Sequence, residues 1–193
     1  MNLESQFSGH WNIDPAHSRI GFSTRHAMVT KVRGAFNDVQ GFAEIDPHDL
    51  TRSTVEVKLR VESIDTRDAN RDAHLKSEDF FHAEDHPYIT FASSAIDEVD
   101  EGQFIVSGDL TIRDITRPIT IPLELTGIDT DPFGQTRAGL EGSRRIDRKD
   151  WGVQWNTPLD SGGVLVSDKV TLEFELSLIK DQEAPAETGN QTS

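Results

Sequence analysis

Thr54-Val55-Glu56-Val57-Lys58-Leu59-Arg60-Val61 alternates without a break. Val55, Val57, Leu59 and Val61 share one face, and Thr54, Glu56, Lys58 and Arg60 share the other. Successive side chains of an extended chain point to opposite sides, so this stretch reads as a strand with one dry and one wet face. The same period recurs on both sides of it. Upstream, Ile20 and Phe22 alternate with Arg19, Ser23 and Arg25, Gly34 and Phe36 share a face, and Phe42 to Ile45 forms a further short strand after Trp11-Asn12-Ile13. Downstream, Tyr88 to Ile96 is extended. Phe104, Val106, Leu110 and Ile112 share a face, as do Ile119, Ile121, Leu123 and Leu125, and then Val170, Leu172, Phe174, Leu176 and Leu178. Pro122 cannot donate to a ladder, which predicts an open edge or a bulge at that point.

Between Ser63 and Phe91 the alternation stops. Leu75, Phe80 and Phe81 stand among acidic residues, and a short helical insert is expected over about 67–82. Its large apolar residues need a surface, so it reads as a lid or brace on one end of a β-structure. About eight strands joined mostly by short turns, with no alternating βα pattern, make an antiparallel all-β fold. The one-sided patterning suits either a sandwich or a barrel. An eight-stranded barrel has room to fill itself with side chains or to hold one small ligand.

The 193 residues suffice for one domain with a core. The net charge of −15 argues against nucleic acid and against adsorption to anionic membrane surfaces. There is no cysteine, so thiol chemistry and disulfides are excluded. Met1 to His10 lacks the pattern of a signal peptide and no apolar run reaches membrane-spanning length, so a cytoplasmic protein is expected. The expected organisation is a flexible start at 1–10, a barrel domain at 11–180 and a disordered tail at 181–193, poor in apolar residues.

Trp11-Asn12-Ile13-Asp14-Pro15-Ala16-His17-Ser18, Phe22-Ser23-Thr24-Arg25-His26 and Val32-Arg33-Gly34-Ala35-Phe36 resemble the opening of the YceI-like family. Ser63-Ile64-Asp65-Thr66, Arg71-Asp72-Ala73-His74-Leu75, Asp79-Phe80-Phe81, Pro87 and Thr90-Phe91 are similar to its most characteristic segment. Gly108-Asp109-Leu110-Thr111-Ile112, Thr116-Arg117-Pro118 and Asp147-Arg148-Lys149-Asp150-Trp151-Gly152 match too, so the resemblance spans about 11–179. It implies an extended, eight-stranded, lipocalin-like antiparallel barrel with a short helical insert. It also implies non-catalytic binding of a polyisoprenoid or similar long-chain amphiphile in the lumen, often by a homodimer. A quinone, a polyprenyl phosphate and a fatty amide all fit that class. Two features depart from the family: there is no export signal, and Asp114-Ile115 occupy a turn where glycine is common.

Ile20, Phe22, Phe36, Val57, Leu59, Phe91, Phe104, Val106, Leu110, Ile121, Leu123 and Phe174 are the candidate lumen residues, with Val55, Ile112, Ile119 and Leu176 on the same faces. In a filled barrel they are ordinary core. Arg144, Arg145, Arg148 and Lys149 form a basic cluster, and Arg144 and Arg145 are the candidates for a ligand head group. His82 and His86 have a helical metal-ligand spacing, but Pro87 follows directly, and no metal is expected. The dense carboxylates from Asp65 to Asp85 read as a solvated, capped face. No nucleophile-elbow or dinucleotide glycine motif is present, and no cofactor is expected. Trp151 and Trp155 suit either the rim of an opening or a plug. Two other functions compete: a lumenal enzyme using His26 or His74 on a prenyl or acyl substrate, and a stress or interaction protein with a filled barrel.

Overall fold

The alternating stretch at 54–61 forms a strand, and ten others join it in one sheet. The computed structural model describes residues 6–182. In chain order the strands are β1 (Gly9–Ile13), β2 (Arg19–His26), β3 (Thr30–Phe36), β4 (Val39–Ile45), β5 (Thr54–Arg60), β6 (Ile64–Asp65), β7 (Tyr88–Asp100), β8 (Gln103–Ile112), β9 (Ile115–Thr130), β10 (Thr136–Asp147) and β11 (Lys169–Lys180). One helix, α1 (Ala69–Lys76), lies between β6 and β7.

Eleven segments make eight barrel staves because three staves are broken. β4 pairs with β1 and β3 with β2, so β1–β2 and β3–β4 are two long strands, each interrupted once. β5 pairs with β4 and β6 with β3, which makes β5–β6 the third. Two of the three breaks hold short 3-10 turns, at Pro15–His17 and Val61–Ser63. The first follows Asp14, whose side chain accepts from the Ala16 N–H, with Pro15 opening the turn. β7 to β11 pair in sequence, and β11 returns to both β1 and β2. Every stave thus pairs with its neighbour in sequence, and the ring is a closed, antiparallel, up-and-down barrel. A sandwich is excluded.

The ladder between β9 and β10 runs only from Glu124–Thr130 against Thr136–Glu141. It stops short of Pro122, the residue without an N–H, as the sequence predicts. At the β8–β9 turn, Arg113 and Asp114 both have positive φ, 51° and 61°. A two-residue hairpin needs that geometry, and two non-glycine residues supply it at some cost in strain.

One end of the barrel is a floor. Trp11 is fully buried, its ring lies 5.4 Å from Phe7, and its Nε1–H donates to the Phe7 carbonyl at 3.1 Å. Phe7 in turn packs 5.7 Å from Phe104. The barrel therefore begins at Gly9, inside the span read as a flexible start, because one aromatic residue ahead of the first strand is enough to anchor it. The expected tail lies outside the described residues from 183 onward.

The opposite end carries the insert. α1 is shorter than the expected 67–82. Asp68 caps it by accepting from Asn70 N–H and Arg71 N–H, and Ser77 ends it in extended conformation. Residues 77–85 continue as turns that bury Phe80 and Ala83.

Candidate functional site

Inward-facing side chains leave a cavity of about 190 Å³ inside the barrel. Ile20, Phe22, Phe36, Val57, Leu59, Phe91, Val106, Leu110, Ile121, Leu123 and Phe174 line it, together with Val55, Ile112, Ile119 and Leu176. Phe104 does not. It has the same inward parity as Val106 and Leu110 but sits lower, in the floor against Phe7. Parity gives the face of a strand and not the height along it.

The upper wall comes from outside the ladder. Leu75, Phe80 and Phe81 of the insert close over the lumen, with Val153 and Val166 from the strap 153–168 that joins β10 to β11. Insert and strap meet through rings. His74 stands 4.7 Å from Trp155 and 5.0 Å from Phe80, and Phe80 lies 5.3 Å from Trp155. Asp79 Oδ2 is 2.8 Å from His74 Nε2. Trp155 belongs to this lid, while Trp151 is buried and donates its Nε1–H to the Leu110 carbonyl at 2.8 Å.

Two arginines and one threonine fasten the lid. Buried Thr66 accepts at its hydroxyl from Arg71 Nε, 2.8 Å, and at its carbonyl from Arg71 Nη2, 2.6 Å. Asp72 accepts the Thr66 N–H and O–H at 2.9 and 2.6 Å. Arg113 Nη1 donates to the Phe80 carbonyl at 2.9 Å, so the strained β8–β9 turn also holds the insert.

Arg148 is buried beside the lumen, and its guanidinium is turned away from it. Nε donates to Ser167 O at 2.9 Å, Nη1 to Val153 O at 2.6 Å and Nη2 to Val166 O at 3.4 Å, with Asp168 3.8 Å away. Burial pushes its pKa below the ordinary arginine value, against the pull of Asp168 and Asp147. Its charge is spent on pinning the strap. Arg144 and Arg145, the two read as head-group contacts, are exposed and do not line the cavity; Arg148, the neighbour two turns of the alternation on, does. His26 and His74 are likewise absent from the lining. His26 bridges to Val166 through its backbone. The His82 and His86 rings lie 5.7 Å apart, facing Asp85 and Asp114 separately at 3.5 and 3.1 Å.

Ile146, Val153 and Val166 escaped sequence reading. Ile146 has inward parity on β10, which was a usable signal. Val153 and Val166 sit in a stretch with no period at all.

Among the described residues no helix is long and apolar enough to cross a membrane. Fold and cavity define a class: a closed, eight-stranded, up-and-down barrel with an apolar lumen, a floor at one end and a lid at the other. A sequence model of the YceI-like domain matches residues 11–178, and the chain belongs to that family. It is 37% identical to a UPF0312 protein of Vibrio cholerae over 139 residues, 72% of this chain and 74% of the relative. A UPF0312 protein of Staphylococcus epidermidis is 36% identical over 164 residues, 84% of this chain and 93% of that one. Among solved structures, BcnA of Burkholderia cenocepacia superposes with a TM-score of 0.74 at 24% identity, covering 86% of this chain and 98% of its own. A polyisoprenoid binding domain from Saccharophagus degradans gives 0.68 at 14% identity, covering 89% and 98%. Both likenesses concern the fold.

Proposed function

We propose that this protein binds the hydrocarbon part of a polyisoprenoid or similar long-chain amphiphile in its lumen and performs no chemistry on it. The observation that carries the reading is the wall itself. Its side chains are apolar almost throughout, and the one arginine in it directs its donors at backbone carbonyls. A ligand segment inside meets little that could hydrogen-bond, orient or protonate it. Such a site rewards carbon and penalises buried polar groups. Neither histidine proposed for catalysis faces the lumen, which favours a carrier or sequestering role over a lumenal enzyme. The description of the Saccharophagus domain points the same way.

Each buried CH₂ is worth about 0.8 kcal/mol, so one five-carbon unit gains about 4 kcal/mol. Specificity then comes from the length and width of the lumen. Native mass spectrometry and organic extraction of protein purified from its host test the reading, with uptake of a fluorescent prenyl probe as a second arm. A co-purifying apolar molecule, or saturable uptake, is expected. Protein that carries nothing apolar and takes up no probe overturns the proposal.

A further inference from the structure

The chain is strongly acidic, yet residues 15–37 contain Arg19, Arg25, Lys31 and Arg33 and no Asp or Glu. An even spread of the 34 carboxylates would put about four in a stretch of that length. The rest of the chain is correspondingly more negative than the whole. This segment is the β2–β3 hairpin, so the fold concentrates the charge in one element.

The tip of that hairpin is apolar and exposed. Met28 is 59% exposed and Val29 74%. Ala27 and Met28 adopt positive φ, 50° and 67°, a conformation that costs a non-glycine residue stability. Just behind the tip, Arg25 stands opposite Lys31, and Ser23 opposite Arg33. Arg25 lies along the tip, its Nη1 donating to the Val29 carbonyl at 3.2 Å. Arg19 and Arg33 share Glu173, at 3.7 and 3.8 Å. At the base of the hairpin Glu175 stands opposite Arg19 and Asp65 opposite Ala35; towards the tip the neighbouring charges include Lys169, paired with Asp147 at 3.3 Å, and Asp160 and Asp168 of the strap, the latter 3.2 Å from Lys149. Asp160 is thus the one carboxylate of the neighbouring strap without a lysine or arginine partner among the described residues.

We propose that this hairpin docks the protein on an anionic lipid surface, with Met28 and Val29 entering the interface and Arg25 and Lys31 meeting the head groups. An apolar wedge with cationic shoulders is the combination that holds a peripheral protein reversibly, since each signal alone is weak. Repulsion of the remaining surface orients the approach, hairpin first. The hairpin also lies at the lid end. His26 bridges to Val166 of the strap, and Gly163 of the strap lies beside Met28. A bilayer touching the tip therefore faces the lid, and a hydrocarbon chain can pass between membrane and lumen with little exposure to water. That use of the surface rests on the lumen reading; the docking itself does not.

The test is co-sedimentation of the full chain with phosphatidylcholine vesicles, with and without phosphatidylglycerol, at low and high salt. Binding is expected only with the anionic lipid and is lost at high salt. Arg25→Glu with Lys31→Glu lowers it more than tenfold. Met28→Ser with Val29→Ser lowers it comparably while leaving its salt sensitivity. All four side chains are at the exposed end of the hairpin, and thermal melts identify a variant that fails to fold, in which case the other pair decides. Wild-type binding by both folded pairs, or equal binding to neutral vesicles, overturns the proposal. So does a change in solution mass of the variants without a change in vesicle binding, which makes the tip a contact between copies. Prenyl-probe uptake is measured on the same samples. Uptake preserved in docking-deficient variants isolates the surface effect, and absent uptake in a docking wild type defeats only the lumen reading.

Discussion

Val57→Phe puts a ring into the lumen. Val57 lies in the middle of β5, opposite Phe91 of β7, and faces the cavity of about 190 Å³. An engineered apolar cavity of about 150 Å³ admits a benzene ring, so there is space for the larger side chain. Phenylalanine has four more carbons than valine, and burying them returns at most about 3 kcal/mol. Imperfect fit costs about 1–3 kcal/mol. The two nearly cancel, and the variant is expected to melt close to the wild type. Its effect on binding has no such offset. The ring occupies the place of about one five-carbon ligand unit, worth about 4 kcal/mol, so affinity falls by two to three powers of ten. The assay is titration with a fluorescent prenyl probe, read from the probe's own emission, alongside thermal melts. Val57→Ala is the opposite control, with lower stability and retained affinity. A folded Val57→Phe protein that binds the probe like the wild type refutes the assignment of the lumen as the binding site.

Phe7→Ala removes the floor anchor and is expected to destabilise by about 3–5 kcal/mol, while prenyl uptake by the folded fraction stays unchanged because Phe7 does not line the lumen; chemical denaturation and the probe titration read the two separately. Gly142→Ala places a methyl 2.1 Å from the Pro122 carbonyl and 2.9 Å from Leu123, forcing β9 and β10 apart at a cost of about 1–3 kcal/mol, visible as a lower denaturation midpoint. For Asp14, burial alone would raise the pKa, but hydrogen bonds from Arg137, His17 and the Ala16 N–H outweigh it and hold the carboxyl below its ordinary value of 3.8. The ionised group therefore stabilises the fold above that value and stops doing so as pH falls through its lowered pKa. Asp14→Asn should flatten the acid limb of a stability–pH curve, and an unchanged limb counts against the Asp14–Arg137 clamp. Trp155→Ala loosens the ring contact between insert and strap, and stopped-flow mixing should show faster probe uptake and faster release with a smaller change in equilibrium affinity.

The strand pattern was legible because one wet face and one dry face is a local property. Val55, Val57 and Leu59 announce it within a handful of residues, but the same pattern suits a sandwich, and only the return of β11 to β1 and β2 closes the ring. The breaks at Pro15–His17 and Val61–Ser63 were harder to see. They interrupt a strand without turning it, so two short alternations on either side look like two strands when they form one stave. The lid was half legible. Leu75, Phe80 and Phe81 stood out as apolar residues in acidic company, but their partners Val153, Val166 and Trp155 lie in a stretch with no period. Long-range contact places those residues, and one sequence does not encode which distant loop an aromatic ring meets. Arg144 and Arg148 illustrate the same limit. Both belong to one basic cluster, and only the turn after β10 takes Arg148 indoors.

On the proposed function, a polyisoprenoid in this lumen requires the lid to move. A cavity near 190 Å³ is only slightly larger than one that holds a benzene ring, whereas a polyisoprenoid carries many five-carbon units. A long chain therefore enters only if the wall yields, and apart from the lid-end part of the β9–β10 seam, where the ladder stops at Glu124 and Glu141, the staves are held by ladders all the way round. The lid is not. Its insert is fastened to the barrel through Thr66, Arg71 and Arg113, and its strap through Arg148 and a short run of backbone contacts. Net contributions of about 1 kcal/mol for a typical hydrogen bond, and somewhat more for those to charged groups, add up to several kcal/mol. Two five-carbon units entering the lumen gain a comparable amount at about 0.8 kcal/mol per CH₂. Filling thus offsets the hydrogen bonds lost on opening, while the ring contacts among His74, Phe80 and Trp155 keep the empty container shut.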